Sequence, residues 1–71
     1  LKWFALEVLR SSASADGRRG TVDYVARARS PRGAVVLAEH ARFVRGEDGR
    51  WRYEGGVETT PAALRRGEFS D

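Results

Sequence analysis

The chain has 71 residues, and thirteen Lys and Arg against ten Asp and Glu give it a formal net charge of +3. It contains no cysteine and one histidine, which excludes disulfides and thiolate metal sites and argues against a zinc site made by protein ligands alone. No apolar run reaches the length of about 18 residues that a transmembrane helix needs, and no signal peptide is recognisable. We therefore expect a small soluble cytoplasmic domain that has no metal, no cofactor and no contact with a membrane.

The first ten residues predict a β-strand that is apolar on both faces. Phe4, Leu6 and Val8 occupy even positions, and most odd positions are apolar as well. A helix is the alternative, since Leu, Ala and Glu favour helices. The strand is favoured because the three strands predicted after it need a neighbour. Residues 11–19 are polar and contain glycine, which indicates a loop or a frayed hairpin tip.

Residues 20–29 alternate between two faces, which is typical of a half-buried antiparallel strand. Tyr24 lies on the apolar face and Arg27 on the polar one. The next four residues, 30–33, predict a turn because Pro31 fixes φ at its second position.

Residues 34–45 predict the third strand, in which Glu39 shares a face with apolar neighbours such as Phe43. His40 and Arg42 lie on the opposite face, because successive side chains in a strand alternate. We expect His40 to face solvent.

A hairpin connects the third and fourth strands through the turn at residues 46–49, which has glycine at both ends. Trp51 and Tyr53 point inward in the fourth strand, Arg50 and Arg52 point to solvent, and the glycine pair at 55 and 56 ends the strand.

The C-terminal residues carry the punctuation of a short helix. Thr60 suits the N-cap, Pro61 the first helical position and Gly67 the C′ position. The sequence thus predicts an α+β fold that is mostly β: a four-stranded antiparallel meander over residues 1–58, followed by a tail with a short helix over residues 59–71.

The predicted sheet has one apolar side that this chain has no means to cover. A single sheet with such a side in water is not stable, so we expect it to bind a helical segment that precedes this chain or a second copy of the sheet. The sequence contains no methionine, which indicates a fragment of a larger domain. We call this side the aromatic face; its predicted residues are Val22, Tyr24, Leu37, Phe43, Trp51 and Tyr53.

Four short blocks in this sequence resemble a known family. They read Trp3-x-x-Leu6-x-Val8, Gly20-x-Val22-x-Tyr24-x-Ala26, Glu39-x-Ala41-x-Phe43-x-Arg45 and Gly49-x-Trp51-x-Tyr53. In this order and spacing they resemble the YchJ-like family, an uncharacterised bacterial group that accompanies SEC-C zinc motifs. The resemblance implies the nuclear transport factor 2-like, or cystatin-like, fold, in which a curved sheet forms a half-barrel around N-terminal helices and is often dimeric. This chain would be the sheet half, with the helices and the Cys-rich zinc motifs outside it.

The chain departs from the family pattern at several positions. Ala5 replaces the usual Gly, Ala41 replaces a common Ser, and Gly55 replaces the usual Asp. The hairpin turn also carries an extra residue. The departures at 41 and 55 remove two polar groups that would otherwise be candidates for a functional site.

Glu39 is the candidate for chemistry, since a carboxylate among apolar neighbours loses hydration, as many general acids and bases do. The alternative is a salt bridge with an arginine of a neighbouring strand. If Glu39 is an acid or base, then Tyr24, Phe43, Trp51 and Tyr53 line its pocket; the alternative for the tyrosines is a core position with a wet hydroxyl.

Arginines on the opposite face predict a possible contact with polyanions: Arg27, Arg29, Arg42, Arg50 and Arg52. Sheets that bind nucleic acid add exposed aromatic side chains for stacking on bases, and here the aromatics lie on the other face. A solvated, ion-paired face is therefore favoured, with Asp23, Glu54 and Glu7 as the partners.

The sequence favours a binding or oligomerisation module over an enzyme. A ligand pocket or an acid/base enzyme that uses Glu39 is the first alternative, and contact with nucleic acid through the arginines is the second. The expected partners are a second copy of the chain or the missing N-terminal helical segment.

Overall fold

The computed structural model describes residues 1–69, which form one antiparallel sheet and one short helix. The elements are β1 (Lys2–Ala13), β2 (Arg19–Ser30), β3 (Gly33–Arg45), β4 (Trp51–Thr59) and α1 (Pro61–Arg66). The strands lie in the order β1-β2-β3-β4. The four-stranded antiparallel meander and the short C-terminal helix are therefore confirmed. No helix in the described residues is long and apolar enough to span a membrane.

Two strands extend three residues or more beyond their predicted ends. β1 continues through Ser11–Ala13, which leaves a five-residue connection at 14–18, and β4 continues past the glycine pair to Thr59. Polar residues can extend the strands at the end of a hairpin, because their backbone N–H and C=O groups still hydrogen-bond to the opposite strand. Ser12 lies opposite Thr21, and the two hydroxyls are 2.8 Å apart.

Three register shifts bend the strands and make the sheet curved. They lie between Trp3 and Ala5, between Val8 and Arg10, and between Arg42 and Phe43. Each extra residue interrupts the alternation of side chains and increases the local twist. The curved, unclosed sheet matches the predicted half-barrel type.

The shifts in β1 correct the predicted faces of that strand. Trp3, Leu6 and Val8 lie opposite residues of β2 that belong to the aromatic face, and opposite residues of an antiparallel pair point to the same side. Phe4 is the extra residue of the first shift, and its ring lies 5.3 Å from the Arg29 guanidinium. Strict alternation predicts Phe4 on the same face as Leu6 and Val8, and this prediction is wrong for Phe4.

The helix packs on the side opposite the aromatic face and forms the small core of the molecule. Leu64 of α1 is fully buried against Val25 and Ala38, and Leu9 and Phe69 pack around them. A helix of six residues is too short to be stable by itself. Its burial against β2 and β3 therefore stabilises it.

Both ends of α1 are capped as the sequence predicts. The Thr60 hydroxyl accepts a hydrogen bond from the Ala63 N–H at 3.1 Å, and Pro61 begins the helix. Gly67 has φ 73°, a left-handed conformation that glycine adopts without strain, and its N–H donates to the Leu64 carbonyl at 3.1 Å. The caps satisfy backbone groups that a two-turn helix would otherwise leave exposed.

The aromatic face has no cover within the described residues. Its six predicted residues do share one side of the sheet, and β1 adds Trp3, Leu6 and Val8 to it. The exposed fractions are 50% for Trp3, 67% for Leu6, 46% for Trp51 and 58% for Tyr53. One face of the sheet is therefore packed and the other presents large apolar side chains.

Two leucines test this division of the sheet. We expect Leu64→Ala to lower the free energy of unfolding by about 2–5 kcal/mol, because it leaves a cavity in the core under α1. The matched control is Leu6→Ala on the aromatic face, which should change stability by no more than about 0.5 kcal/mol. Urea unfolding followed by circular dichroism measures both. Equal losses for the two variants would contradict the assignment of the core.

Candidate functional site

The structure brings Glu39 together with both tyrosines of the chain. Glu39 lies on β3, and its neighbours are Tyr24 on β2 and Tyr53 on β4. The Tyr24 hydroxyl donates to one carboxylate oxygen and the Tyr53 hydroxyl to the other. Three adjacent strands thus converge on one acidic group in the middle of the aromatic face.

Glu39 is only 7% exposed although the face around it is open. The tyrosines replace the water that a carboxylate would otherwise bind, and their hydroxyls are its hydrogen-bond donors. The sequence predicts either tyrosines or an arginine next to Glu39. Among the described residues, its hydrogen-bond partners are the tyrosines.

The carboxylate changes the acidity of both tyrosines. Burial raises the pKa of Tyr24 far above its ordinary value, and the hydrogen bond to Glu39 raises it further. The pKa of Tyr53 is raised chiefly by its hydrogen bond to Glu39. In each case the neutral, donating hydroxyl is the form that the site stabilises.

Gly56 provides the space that the Glu39 carboxylate occupies. A Cβ atom on Gly56 would overlap this carboxylate and would lie 2.8 Å from the His40 carbonyl oxygen. Gly56 does not have a positive φ, so space is the reason for glycine here. The sequence pattern predicts only that the glycine pair ends the strand, and it does not reveal this role in packing.

A second carboxylate lies next to this group. Glu58 of β4 is directly opposite Glu39 in the register of β3 and β4. Its charge also raises the pKa of Tyr24 and Tyr53. Within residues 1–69 neither Glu39 nor Glu58 forms an ion pair. The charge of Arg42 acts in the opposite sense on Tyr53 and lowers its pKa. The centre of the aromatic face therefore holds two carboxylates that form no ion pair within the described residues.

The other two predicted pocket residues lie farther along the same face. Phe43 packs edge-on against Tyr53, with ring centroids 5.8 Å apart. Trp51 lies over Gly20, where an added Cβ would be 3.4 Å from the indole ring. Phe43 and Trp51 line a shallow groove with Ser12 and Thr21, and neither Glu39 nor the two tyrosines line it.

The arginines of the opposite face do not form one continuous stripe. Arg27 and Arg29 lie near the β2–β3 turn, whereas Arg42 lies six residues beyond the residue opposite Arg27, about 20 Å along the strand. Arg52 pairs with Asp48 at 2.6 Å, and Arg50 lies in the loop before β4. The part of the sheet that packs under α1 lies between the two groups. Contact with a polyanion therefore stays a prediction, and the arginines share no common site for it.

The acidic partners that the sequence predicts for these arginines are found in part. Glu54 lies 3.7 Å from Arg42 and 3.3 Å from Arg19, and Glu7 lies 3.0 Å from Arg65. Such exposed pairs contribute little to stability.

The expectation that His40 faces solvent is wrong, since it is 8% exposed. Its Nδ1 donates to Asp23 at 2.6 Å, and Arg10 binds the other oxygen of Asp23 at 2.7 Å. The His40 ring stacks on Phe69 at 4.2 Å, and the Arg10 guanidinium donates to the Leu64 carbonyl. This cluster fastens the helix and the residues after it to the sheet.

Sequence reasoning missed the cluster because the contacts depend on register. Asp23 and His40 are partners across β2 and β3, and Arg10 reaches the same face only through the register shift in β1. The described residues contain no group of three His, Cys, Asp or Glu side chains that could hold a metal ion.

The tyrosines provide a direct test of the Glu39 site. Because the folded-state pKa of each is raised, both contribute stability below the ordinary tyrosine pKa of about 10, and this contribution is lost as the pH rises through the folded-state value. We expect tyrosinate absorbance to appear well above pH 10 in the folded protein and near pH 10 in urea.

The variant Glu39→Gln should return the Tyr53 pKa toward its ordinary value more than that of Tyr24, since burial is the larger cause for Tyr24. Titration of Tyr24→Phe and Tyr53→Phe proteins separates the two, and Glu47→Gln is the control. Unchanged titrations in Glu39→Gln would show that the carboxylate does not hold the hydroxyls.

Gly56→Ala should displace the Glu39 carboxylate and lower both tyrosine pKa values. Because the two changes remove the same hydrogen bonds, the double variant Gly56→Ala/Glu39→Gln should lower them no further than one change alone. The same absorbance titration measures this, and additive effects would contradict a shared cause.

Comparison with known proteins places this fold and site in a family. Residues 1–56 match the family model described as YchJ, middle NTF2-like domain. A UPF0225 protein of Polaromonas sp. (strain JS666 / ATCC BAA-500) is 46% identical over 57 residues, which cover 79% of this chain and 40% of the relative. The chain thus spans less than half the length of that relative, and no solved structure matches it. With a four-stranded curved sheet and a family match over four fifths of its length, the chain belongs to the YchJ family, in its middle NTF2-like domain.

Proposed function

We propose that this domain is a binding module whose aromatic face binds an amphipathic helical segment of the longer protein. The observation that supports the proposal is the contrast between the two faces of the sheet. One face is packed under α1, whereas the other leaves Trp3, Leu6 and Trp51 about half exposed or more. We also propose a bacterial, cytoplasmic setting. The resemblance to the YchJ-like family supports a bacterial protein, and the absence of cysteine fits the cytoplasm.

The energetics of the face favour an occupant. Each large apolar side chain that is removed from water contributes about 1.5–3 kcal/mol when fully buried. Contiguous apolar patches on soluble proteins usually mark an interface. A sheet of four strands whose second face stays in water has little apolar burial to stabilise it.

A helical layer is the occupant that the comparisons support best. The relative is much longer than this chain, and the family model describes an NTF2-like domain. The similarity of this chain to such domains implies helices on the inner side of the curved sheet. Self-association through the same face is the alternative, and the experiment below separates the two.

The proposal does not include acid/base catalysis by Glu39. Both carboxylate oxygens already accept a hydrogen bond from a tyrosine. A general base must reach the proton that it removes, within about 3 Å, and here two hydroxyls occupy the nearest acceptor positions. Glu39 with its tyrosines is better suited to hold a group of the occupant in place.

Both tryptophans of the chain lie on the aromatic face, so their fluorescence reports on its occupation. The probe is a synthetic amphipathic peptide of about 20 residues with a leucine stripe and an uncharged polar side. We expect its binding to shift the tryptophan emission to shorter wavelength, because the indoles leave water.

Two exposed valines provide a matched pair of variants. Val8 is 55% exposed on the aromatic face and Val36 is 46% exposed on the other face. Val8→Asp should weaken peptide binding at least tenfold, and Val36→Asp should leave it unchanged. Equal effects of the two substitutions, or no spectral shift, would overturn the proposal. A dimer in sedimentation equilibrium that Val8→Asp dissociates would instead identify a second copy as the occupant.

A further inference from the structure

Building on the proposed binding function, we infer that the segment on the aromatic face carries a basic group, Lys or Arg, that lies against Glu39 and Glu58. The face selects its partner by charge as well as by apolar contact. Glu39 supplies the buried carboxylate, Glu58 the exposed one, and Tyr24 and Tyr53 supply aromatic rings beside them.

The two carboxylates lie on one patch of the sheet. Glu39 and Glu58 are direct cross-strand partners, and side chains of such partners are about 5 Å apart at Cβ. Like charges in this arrangement repel each other. Glu58 is exposed to solvent, which screens this repulsion while the face is open.

Covering the face removes that water. A buried carboxylate without a positive partner is strongly unfavourable, and two adjacent ones are worse. A Lys or Arg of the covering segment offsets both charges at once.

Rings around a carboxylate add a second attraction for a cation. The tyrosines flank Glu39, and Phe43 packs edge-on against Tyr53. A cation that lies over an aromatic ring is attracted by the negative face of the ring, and the attraction is stronger when the cation is removed from water. The same face already shows this contact at its end, where the Arg45 guanidinium lies 6.0 Å from the Trp51 ring.

The charges also disfavour a second copy of the sheet as occupant. A symmetric contact centred on Glu39 would bring two pairs of carboxylates together. Arg45 is at the end of the face, and its Nε donates to the Gly49 carbonyl at 3.1 Å. A basic helical segment therefore complements this surface better than the surface complements itself.

Three peptides test the inference. All have the leucine stripe used above and differ at one central position, which holds Lys, norleucine or Glu. Norleucine keeps the apolar chain of Lys without its amine. From tryptophan emission at low salt, we expect the Lys peptide to bind about tenfold more tightly than the norleucine peptide, which corresponds to about 1.4 kcal/mol, and the Glu peptide to bind most weakly.

Variants then locate the charge preference. Glu58→Gln should reduce the advantage of Lys over norleucine, and Glu39→Gln/Glu58→Gln should abolish it. Glu58→Gln changes an exposed side chain, so it tests the inference even where the double variant folds poorly. Glu47→Gln in the β3–β4 turn is the matched control and should change nothing.

The outcomes separate the two proposals. Equal affinities of the Lys and norleucine peptides, or a Lys advantage that persists in the double variant, would overturn the basic group and leave the binding function standing. Failure of all three peptides to bind would overturn the binding function itself.

Discussion

The structure depends on an imbalance between the two faces of one sheet. β2 and β3 carry apolar side chains on both sides. Among residues 1–69 one side is covered, by a helix of six residues that buries Leu64 against Val25 and Ala38, and the other is not. The packed side is thin, because the largest fully buried side chains of this part of the chain are Leu64 and Val25. A sheet of this composition reaches ordinary stability only when its second face is also removed from water. This imbalance is the reason why we propose that the exposed rings form half of an interface.

Glu39 determines how that interface must be built. A carboxylate in the middle of an apolar face makes the fold less stable than a purely apolar face would. We infer that it contributes specificity of strand pairing instead. Its two tyrosines come from the strands on either side, and Gly56 leaves room for the carboxylate. A slip of one residue in either pairing would send a tyrosine to the other face and break the site. The polar group thus favours one register of three strands.

Local pattern was sufficient to predict the face on which each ring of β2, β3 and β4 lies, and it placed Glu39 among the tyrosines. The caps of α1 followed from Thr60, Pro61 and Gly67, because capping depends on neighbouring residues. Pattern failed where pairing between distant residues decides the outcome. Register shifts in β1 moved Phe4 off the aromatic face, and His40 became buried through contacts with Asp23 and Phe69. Arg27 and Arg42 share a face yet lie far apart, which alternation alone does not reveal.

Two carboxylates that are buried among the described residues have different partners. Asp23, which is 3% exposed, has a guanidinium at 2.7 Å and an imidazole at 2.6 Å. Glu39, which is 7% exposed, has two neutral hydroxyls and forms no ion pair within residues 1–69. Both groups face the same cost of losing water. On the side that packs under α1, basic side chains offset this cost. On the open side, the segment that we propose as occupant would supply the corresponding basic group.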